Sequence, residues 1–390
     1  MKIFSQISDI ARRECNIIFT KNPIYLVCMV IFPIMIVSFF TTLLDDGQPL
    51  ELPVGVVDMD NTSTSRGLIR TLDGFQTSDV VAHYNNMNEA RNAVQRGEIY
   101  AFLLIPEGTT EMLMASKQPK ISFYYNGAIM LAGSTTFRDL KAVSLLGSAA
   151  VGAKKLAAIG KTGREIKAFL QPISVDLHMI NNPWASYNIY LTSVMVPGLF
   201  FLIIFLVTTY SIGTELKFKT GKEWMEIAGD NPFVAVTGKM LPQTVIFLIM
   251  FYLFEFYIYG ILDFPHSGGV VPIMLSGLVT VLSSQGFGIF VFGLVPSLRL
   301  SMTICCLLAM LGISMAGSTF PVFAMDGALQ SLSWIFPLRH YYMIYQINIF
   351  NGYPMSYAAL HWTVLCAFIL IPVFVMWNIR KAMHTYKYIA

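Results

Sequence analysis

The chain has 390 residues, of which 55% are hydrophobic and 13% are charged, about half of the ~25% usual in soluble proteins. This apolar surface is too large for one aqueous core to hide, and the low charge and high aromatic content exclude a disordered chain. A net charge of +3, scattered along the sequence, excludes a typical nucleic-acid-binding protein, so the composition predicts a polytopic membrane protein.

Residues 1–22 have the pattern of an amphipathic helix. Isoleucines recur at helical spacing and two arginines lie among polar neighbours: Ile3, Ile7, Ile10, Ile17, Arg12 and Arg13. A helix of this kind lies in the bilayer interface with its apolar face buried. Residues 1–22 are therefore predicted to form a cytoplasmic helix on the inner leaflet of the membrane.

Six stretches are apolar enough to cross a bilayer, which needs about 20 mostly apolar residues. They are 23–44, 189–210, 240–262, 270–296, 302–324 and 358–378. The first runs from Pro23 to Leu44 without a charge, is too long for a signal-peptide core and has no small-residue cleavage site after it, so it predicts a retained signal anchor. We expect an α-helical polytopic membrane protein with six transmembrane helices, five of them in a transmembrane domain over 188–379.

Lysines and arginines in the flanks and short loops indicate how the spans are oriented. Twelve fall on one side of the membrane: Lys2, Arg12, Arg13, Lys21, Lys217, Lys219, Lys222, Lys239, Arg299, Arg380, Lys381 and Lys387. The short loops of the opposite side carry only Arg339. Both termini, including the tail 380–390, are therefore predicted to be cytoplasmic, and residues 45–187 are predicted to lie outside the cytoplasm.

The segment 45–187 has the pattern of an α/β domain. Strands are expected at 52–58, 80–83, 101–105, 121–125 and 173–179, and helices at 63–73, after the capping box of Asn86 and Glu89, after Pro106 and over 136–170. The segment contains no cysteine, so its own core must stabilise it without disulfides. We expect a small mixed sheet with helices around a long helical excursion.

Motifs of catalysis and of metal binding are absent from the sequence. Gly238-Lys239 is followed by Met240 and not by the Ser or Thr of a nucleotide-binding loop. The six histidines are dispersed, and the five cysteines lie in or beside the predicted spans. We therefore predict no catalytic residue, metal site or cofactor in this chain, so that energy for any work must come from a partner or an ion gradient.

Several short motifs follow one another along the chain. They are Val54–Ser63 (VGVVDMDNTS), Ala101–Pro106, Asn182-Pro183 before Val194–Gly198, Thr214–Gly221, Gly238-Lys239 with Pro242, and Ser333–Tyr341. In this order, and with one span, a large external domain and five further spans, they resemble the permease subunits of bacterial type-2 ATP-binding-cassette (ABC) exporters over essentially the whole chain. One departure is Thr220-Gly221, where that family usually has Gly-Thr.

The resemblance implies a permease of the bacterial inner membrane that exports amphipathic or hydrophobic cargo. The expected partners are a second permease subunit, a cytoplasmic ABC ATPase that binds ATP and Mg²⁺, membrane lipid and a periplasmic adaptor. The N-terminal helix flanks the ATPase in that family, although membrane anchoring alone also explains its pattern. The alternative function is a membrane-anchored receptor or structural protein of similar layout that acts without an ATPase.

The segment 211–237 is the largest predicted cytoplasmic loop and is long enough to form a docking helix. Charged residues alternate in it with aromatic and apolar ones, as in a partner surface with anchors inside a polar rim. With the resemblance, the predicted ATPase-coupling residues are Glu215, Lys217, Lys219, Gly221, Glu223, Trp224 and Glu226. An interfacial loop with positive-inside charges and a tryptophan at the headgroups is the alternative.

Polar residues also occur within and between the predicted spans. Glu255 indicates a residue of the substrate pathway or gate, or else a hydrogen bond to a neighbouring helix or a carboxyl near the headgroups. Gln285 follows two serines, a pattern that favours helix packing over a ligand site. Residues 325–350 contain a half-length apolar stretch before Pro337 and predict a re-entrant segment, with Arg339 at the interface or at a substrate headgroup.

Overall fold

The structure is a computed structural model that describes residues 2–115, 117–172 and 178–385. Its main helices are α1 (Lys2–Asn16), α2 (Pro23–Leu43), α3 (Ser63–Asp73), α4 (Met87–Arg96), α5 (Thr109–Met114), α6 (Met130–Ala158), α7 (Gly163–Leu170), α8 (Tyr187–Lys217), α9 (Gly221–Ile227), α10 (Pro232–Ile261), α11 (Val270–Leu294), α12 (Leu298–Met315), α13 (Gly327–Ser333), α14 (Pro337–Ile344) and α15 (Met355–Thr385). Its strands are β1 (Leu52–Asp58), β2 (Ser78–His83), β3 (Ala101–Ile105) and β4 (Ser122–Tyr125). The chain divides into two compact units, Met1–Asp45 with Ile180–Ala390, and Asp46–Met179.

Six helices of the described residues are long and apolar enough to cross a membrane: α2, α8, α10, α11, α12 and α15. Each of them covers most or all of one predicted span. The most hydrophobic stretches of α8 and α11 are each 72% buried, against 22–39% in the other four helices. Helices α8 and α11 therefore form the centre of this unit, and the others expose apolar side chains such as Phe39, Leu307 and Phe374.

The ends of several elements differ from the predicted bounds. Helix α8 continues to Lys217 and α10 begins at Pro232, so the predicted loop 211–237 is reduced to a short connection around α9. Helix α8 extends beyond its predicted span because the polar side chains of its last turns form contacts inside the unit. The sequence pattern does not show these contacts. Helix α15 continues to Thr385 into the predicted tail 380–390, of which 386–390 lie outside the described residues.

The unit Asp46–Met179 contains, in its described part, a four-stranded sheet of order β2-β1-β3-β4. Strand β1 is parallel to β2 and β3, and β4 is antiparallel to β3, so the predicted mixed sheet is present. Strands β1 and β3 have their predicted bounds, and β2 begins two residues earlier. The predicted strand at 173–179 includes 173–177, which lie outside the described residues.

Both faces of this sheet are covered by helices. Val54 and Val56 of β1 pack with α3 and α6, whereas Val57 packs on the opposite face with Ala90 and Ala93 of α4. The helix predicted over 136–170 is in fact two helices, because Gly160 takes a left-handed conformation (φ +86°) that ends α6. Thr162 and Glu165 then form a reciprocal capping box that starts α7.

Candidate functional site

Four buried or half-buried charges from three helices meet where α8 approaches α9. Lys239 of α10 is 1% exposed, and its Nζ lies 2.7 Å from Glu14 Oε2 of α1 and 2.7 Å from Glu215 Oε1 of α8. The guanidinium of Arg13 donates two hydrogen bonds to Glu215, from Nη1 to Oε1 at 2.7 Å and from Nη2 to Oε2 at 3.0 Å. Two cations and two anions therefore balance in a site that solvent hardly reaches.

Polar side chains satisfy the remaining acceptor sites of this charge network (Arg13, Glu14, Glu215 and Lys239). Ser211 Oγ donates to Glu14 Oε1 at 3.0 Å, and Gln243 Nε2 donates to the same oxygen at 3.2 Å. The hydroxyl of Thr220 donates to Glu215 Oε2. A buried ion pair is tolerated when such hydrogen bonds complete it, whereas loss of one partner leaves an unpaired buried charge.

A glycine of α10 allows α1 to pack closely against this helix. A Cβ at Gly238 would lie 2.9 Å from Ile10 Cβ and 3.1 Å from the carbonyl oxygen of Ile7, so the helices pack as closely as they do because residue 238 has no side chain. Ile10 is fully buried in this contact. Glu14 follows Ile10 by four residues on the same helical face, which places its carboxylate at Lys239.

The Arg13 guanidinium is half-enclosed by this packing. Burial lowers the pKa of Arg13, but the hydrogen bond and the charge of Glu215 outweigh it, and the pKa is raised above its ordinary value. Arg13 is therefore positively charged at any physiological pH, and it holds Glu215 to the N-terminal helix by a bidentate pair.

Helix α9 has one buried and one exposed face. Trp224 is 0% exposed, and its ring lies 5.3 Å from Lys239 Nζ, close enough for a cation–π interaction. Gly221 is also buried, because a Cβ there would lie 2.8 Å from the Met383 sulfur of α15. Glu223 and Glu226 lie on the exposed face. The short helix therefore touches both the charge network and the end of α15.

The seven predicted coupling residues fall into two groups. Lys217, Lys219, Glu223 and Glu226 are exposed, whereas Glu215, Gly221 and Trp224 are buried. Trp224 is therefore not the exposed anchor that the pattern suggested, because Lys239 and the helices around it cover the indole ring. The exposed aromatic side chain of the connection is Phe218, at 63% exposure.

A second ion pair joins α15 to the residues after α9. Arg380 donates from Nε to Asp230 Oδ1 at 3.0 Å, and His384 Nε2 lies 2.9 Å from the same oxygen. The hydrogen bond from Arg380, and then that from His384, lower the pKa of the Asp230 carboxyl to about 2. Because this folded-state pKa is depressed, the stabilisation is present above the ordinary Asp pKa and is lost as the pH falls towards 2.

Replacement of Asp230 by asparagine is expected to loosen the end of α15. Amide hydrogen exchange at pH 7 should become faster over Met376–Thr385, because Arg380 and His384 lose their charged acceptor. The matched control is Asp45→Asn, which removes an exposed carboxylate of the same unit. Equal exchange in the two variants would contradict a role for Asp230 in holding α15.

The sequence was compared with models of known protein families and with curated proteins. A family model described as "ABC-2 family transporter protein" matches residues 23–377, nearly the whole chain. The chain belongs to the ABC-2 transporter family. No curated protein matches it. Membership supports a permease role and a multi-pass membrane location, and implies association with an ABC ATPase.

The two polar residues predicted within the spans of this ABC-2 protein, Glu255 and Gln285, lie on α10 and α11. Glu255 is 3% exposed, and neither carboxylate oxygen has a hydrogen-bond partner among the residues that the structure describes. Gly277 makes room for this carboxylate, since a Cβ there would lie 2.9 Å from Glu255 Oε2. Gln285 Oε1 accepts from Thr244 Oγ1 at 2.7 Å, and Thr244 precedes Glu255 by about 16 Å of helix. The two predicted residues are therefore separate points of one helix interface.

The predicted re-entrant segment 325–350 of the ABC-2 protein folds as α13, α14 and a wide helical turn over Tyr345–Phe350. Pro337 occupies the first turn of α14, where its missing N–H costs nothing. Arg339 Nη1 donates to the carbonyl of Ala316 at 2.8 Å and so satisfies the end of α12. Arg339 thus has a structural partner; whether it also contacts a headgroup stays a prediction.

Sequence reasoning missed a histidine pair beside this segment. His340 Nδ1 lies 3.0 Å from His361 Nδ1, and His340 Nε2 lies 3.0 Å from the carbonyl oxygen of Trp334. The carbonyl can only accept, so Nε2 of His340 carries a proton. Nothing in the spacing of two histidines 21 residues apart signals this contact.

Proposed function

We propose that this chain is the permease subunit of an ATP-driven exporter and that the charge network passes the motion of a bound ATPase to the spans. The observation that carries the proposal is Lys239, a buried cation held by carboxylates of two other helices. These contacts favour movement of α1, α8 and α10 as one body, because separating any of them exposes an unpaired buried charge.

The exposed face of α9 is the proposed contact for the ATPase. Its acidic pair Glu223 and Glu226 is free to meet a partner, while Trp224 on the opposite face lies on Lys239. A push on α9 is therefore transmitted to Lys239, and through Gly221 and Met383 to α15. In this mechanism, ATP and Mg²⁺ bind to the partner ATPase, whose closure shifts a two-state equilibrium of the spans.

The arrangement in the membrane follows the distribution of lysine and arginine. We propose an inner-membrane location with both termini and α9 in the cytoplasm and the unit Asp46–Met179 outside it. A second permease subunit completes the pathway, and an amphipathic or hydrophobic substrate passes between the two with lipid at their margins. A periplasmic adaptor is a further proposed partner. Glu255 and Gln285, at the buried α10–α11 interface, are the proposed polar residues of the gate.

Reversing the charges on the exposed face of α9 tests the ATPase contact. The double variant Glu223→Lys, Glu226→Lys is expected to lose at least about tenfold of the ATP hydrolysis that co-purifies with the full chain from native membranes, because like charges then face the partner. Its stability should be unchanged, since both side chains are exposed.

The matched control reverses two exposed acids of the other unit, Glu51→Lys and Glu111→Lys. It should retain the co-purifying ATPase at the level of the unaltered chain. If the α9 variant retained as much ATPase as this control, the docking assignment would be wrong. Absence of an ATPase from the unaltered chain after cross-linking would instead favour the receptor alternative.

A further inference from the structure

The unit Asp46–Met179 contains an open cleft of about 550 Å³ at the carboxyl ends of its parallel strands. Residues at and beyond the carboxyl ends of β1, β2 and β3 line it, among them Asn61, Arg66, His83, Tyr84, Asn85 and Glu107. This volume is within the ~300–1,000 Å³ range of small-molecule sites.

The topology of the sheet explains why a cleft forms here. From β1 the chain crosses one face through α3 to β2, and then crosses the opposite face through α4 to β3 on the other side of β1. The connections that leave the adjacent strands β1 and β2 therefore diverge to opposite faces beyond the carboxyl ends of these strands. In open parallel sheets, ligands bind in the crevice at such a switch point.

In the turn after β1, the carboxylate of Asp58 occupies the position in which a bound anion would lie. Asp58 Oδ1 accepts hydrogen bonds from the backbone N–H groups of Asp60 and Asn61, both at 3.1 Å. Asp58 Oδ2 accepts from Ser65 Oγ at 2.7 Å. In a phosphate-binding turn, the ligand would accept the hydrogen bonds of these backbone N–H groups. A phosphate or nucleotide is therefore excluded from this position.

The polar side chains around the cleft carry charges of both signs, and they keep hydrogen-bonding groups that a ligand could use. The side chains of His83, Asn85 and Glu107 have no hydrogen bond or ion pair with any residue in the described part of the chain. Arg66 donates from Nη1 to the carbonyl of Asn61 at 3.1 Å and keeps further N–H groups. The positive charge of Arg66 would repel a polycation, and the negative charges of Asp58 and Glu107 would repel an anion. A neutral ligand with many hydrogen-bond donors and acceptors therefore fits best.

An apolar wall completes the cleft. Tyr84 lies against β1, where a Cβ at Gly55 would be 2.7 Å from the tyrosine ring, so the glycine fixes the ring beside the cleft. Met59, half-exposed, and Ile69 line the same space. A sugar ring has hydroxyl groups at its rim and C–H groups on its faces, which match a polar rim and an apolar wall.

We propose that this cleft binds a neutral carbohydrate through Arg66, Asn85 and Glu107, with the sugar ring against Tyr84. Each hydroxyl group both donates and accepts, so neighbouring hydroxyls can pair with the guanidinium and with the carboxylate at once. The proposal does not depend on an exporter function, because every residue that carries it belongs to the unit Asp46–Met179.

The test is a binding measurement on the full chain in lipid nanodiscs, which avoids detergents with sugar headgroups. Saturation-transfer NMR with maltotriose, cellotriose and triacetylchitotriose should show binding of at least one of them. Arg66→Ala and Glu107→Ala should each weaken that binding at least about tenfold. The control Arg70→Ala, an exposed position one turn further along α3, should leave it unchanged.

The altered positions are exposed, so the variants should fold, and an unchanged thermal transition verifies this. Failure of all three saccharides to bind the unaltered chain would overturn the proposal. It would also be overturned if the Arg66 and Glu107 variants bound the saccharide as tightly as the unaltered chain does. Binding of inorganic phosphate or spermidine at these residues, in place of the saccharides, would also overturn it and would identify a charged ligand.

Discussion

Replacing Lys239 by methionine is expected to destabilise the membrane unit by about 3–5 kcal/mol, the usual cost of breaking a buried ion pair. The change leaves the carboxylates of Glu14 and Glu215 buried, and only Glu215 keeps a cation, Arg13. Methionine preserves the length and apolar stem of lysine, so the effect reports the lost charge. Denaturant titration in mixed micelles measures the free energy of unfolding.

Two further variants separate charge balance from packing. Adding Glu14→Gln to Lys239→Met should restore most of the stability, because Arg13 and Glu215 then remain as a neutral pair. Lys222→Met, the same substitution at an exposed position, should change the free energy of unfolding by less than about 0.5 kcal/mol. If Lys239→Met were as stable as Lys222→Met, the charge network would not contribute to the stability of the unit.

The spans and strands could be predicted because each is encoded locally. Twenty apolar residues specify a span wherever they occur, and β1 and β3 follow from short apolar runs bounded by turn residues. The start of α4 could be read from Asn86, whose side chain accepts from the Glu89 N–H at 2.9 Å. Such elements need no knowledge of distant parts of the chain.

The charge network could not be predicted in this way, because its partners are far apart in sequence. Glu215 looks like one more charge of a polar loop, yet Arg13, 202 residues earlier, and Lys239 bury it. One signal was present in α1. Ile3, Ile7 and Ile10 define its apolar face, and Glu14 continues that series, so an acid occupies a position that packs against protein.

The same reasoning explains the contacts of α15. Asp230 and Arg380 are 150 residues apart, and neither lies in a recognisable motif. Their pairing depends on how α9 packs against α15, which buried glycines such as Gly221 permit. Local patterns therefore identify the elements of this ABC-2 protein, whereas close approaches at glycine decide which charges meet.

Replacing Gly238 by valine is expected to displace α1 from α10. The new Cβ would lie 2.9 Å from Ile10 Cβ and 3.1 Å from the Ile7 carbonyl oxygen, and backbone atoms cannot move away as a flexible side chain can. Displacement separates Glu14 from Lys239 and frees Arg13 from Glu215. Trypsin should then cleave after Arg13 at least about tenfold faster, because proteolysis follows the population of the open form.

A suppressor variant makes this prediction specific to the contact. Ile10→Ala removes Ile10 Cγ2, which would lie 3.0 Å from the new Cβ, but keeps Ile10 Cβ, so the double variant should recover only part of the protease resistance. Gly67→Val is the matched control, since a Cβ at Gly67 would have no heavy atom within 4 Å among the described residues beyond its chain neighbours and the backbone of its own helix. Cleavage after Arg13 at the control rate in Gly238→Val would mean that α1 stays docked without the glycine, and that Glu14 reaches Lys239 by another constraint.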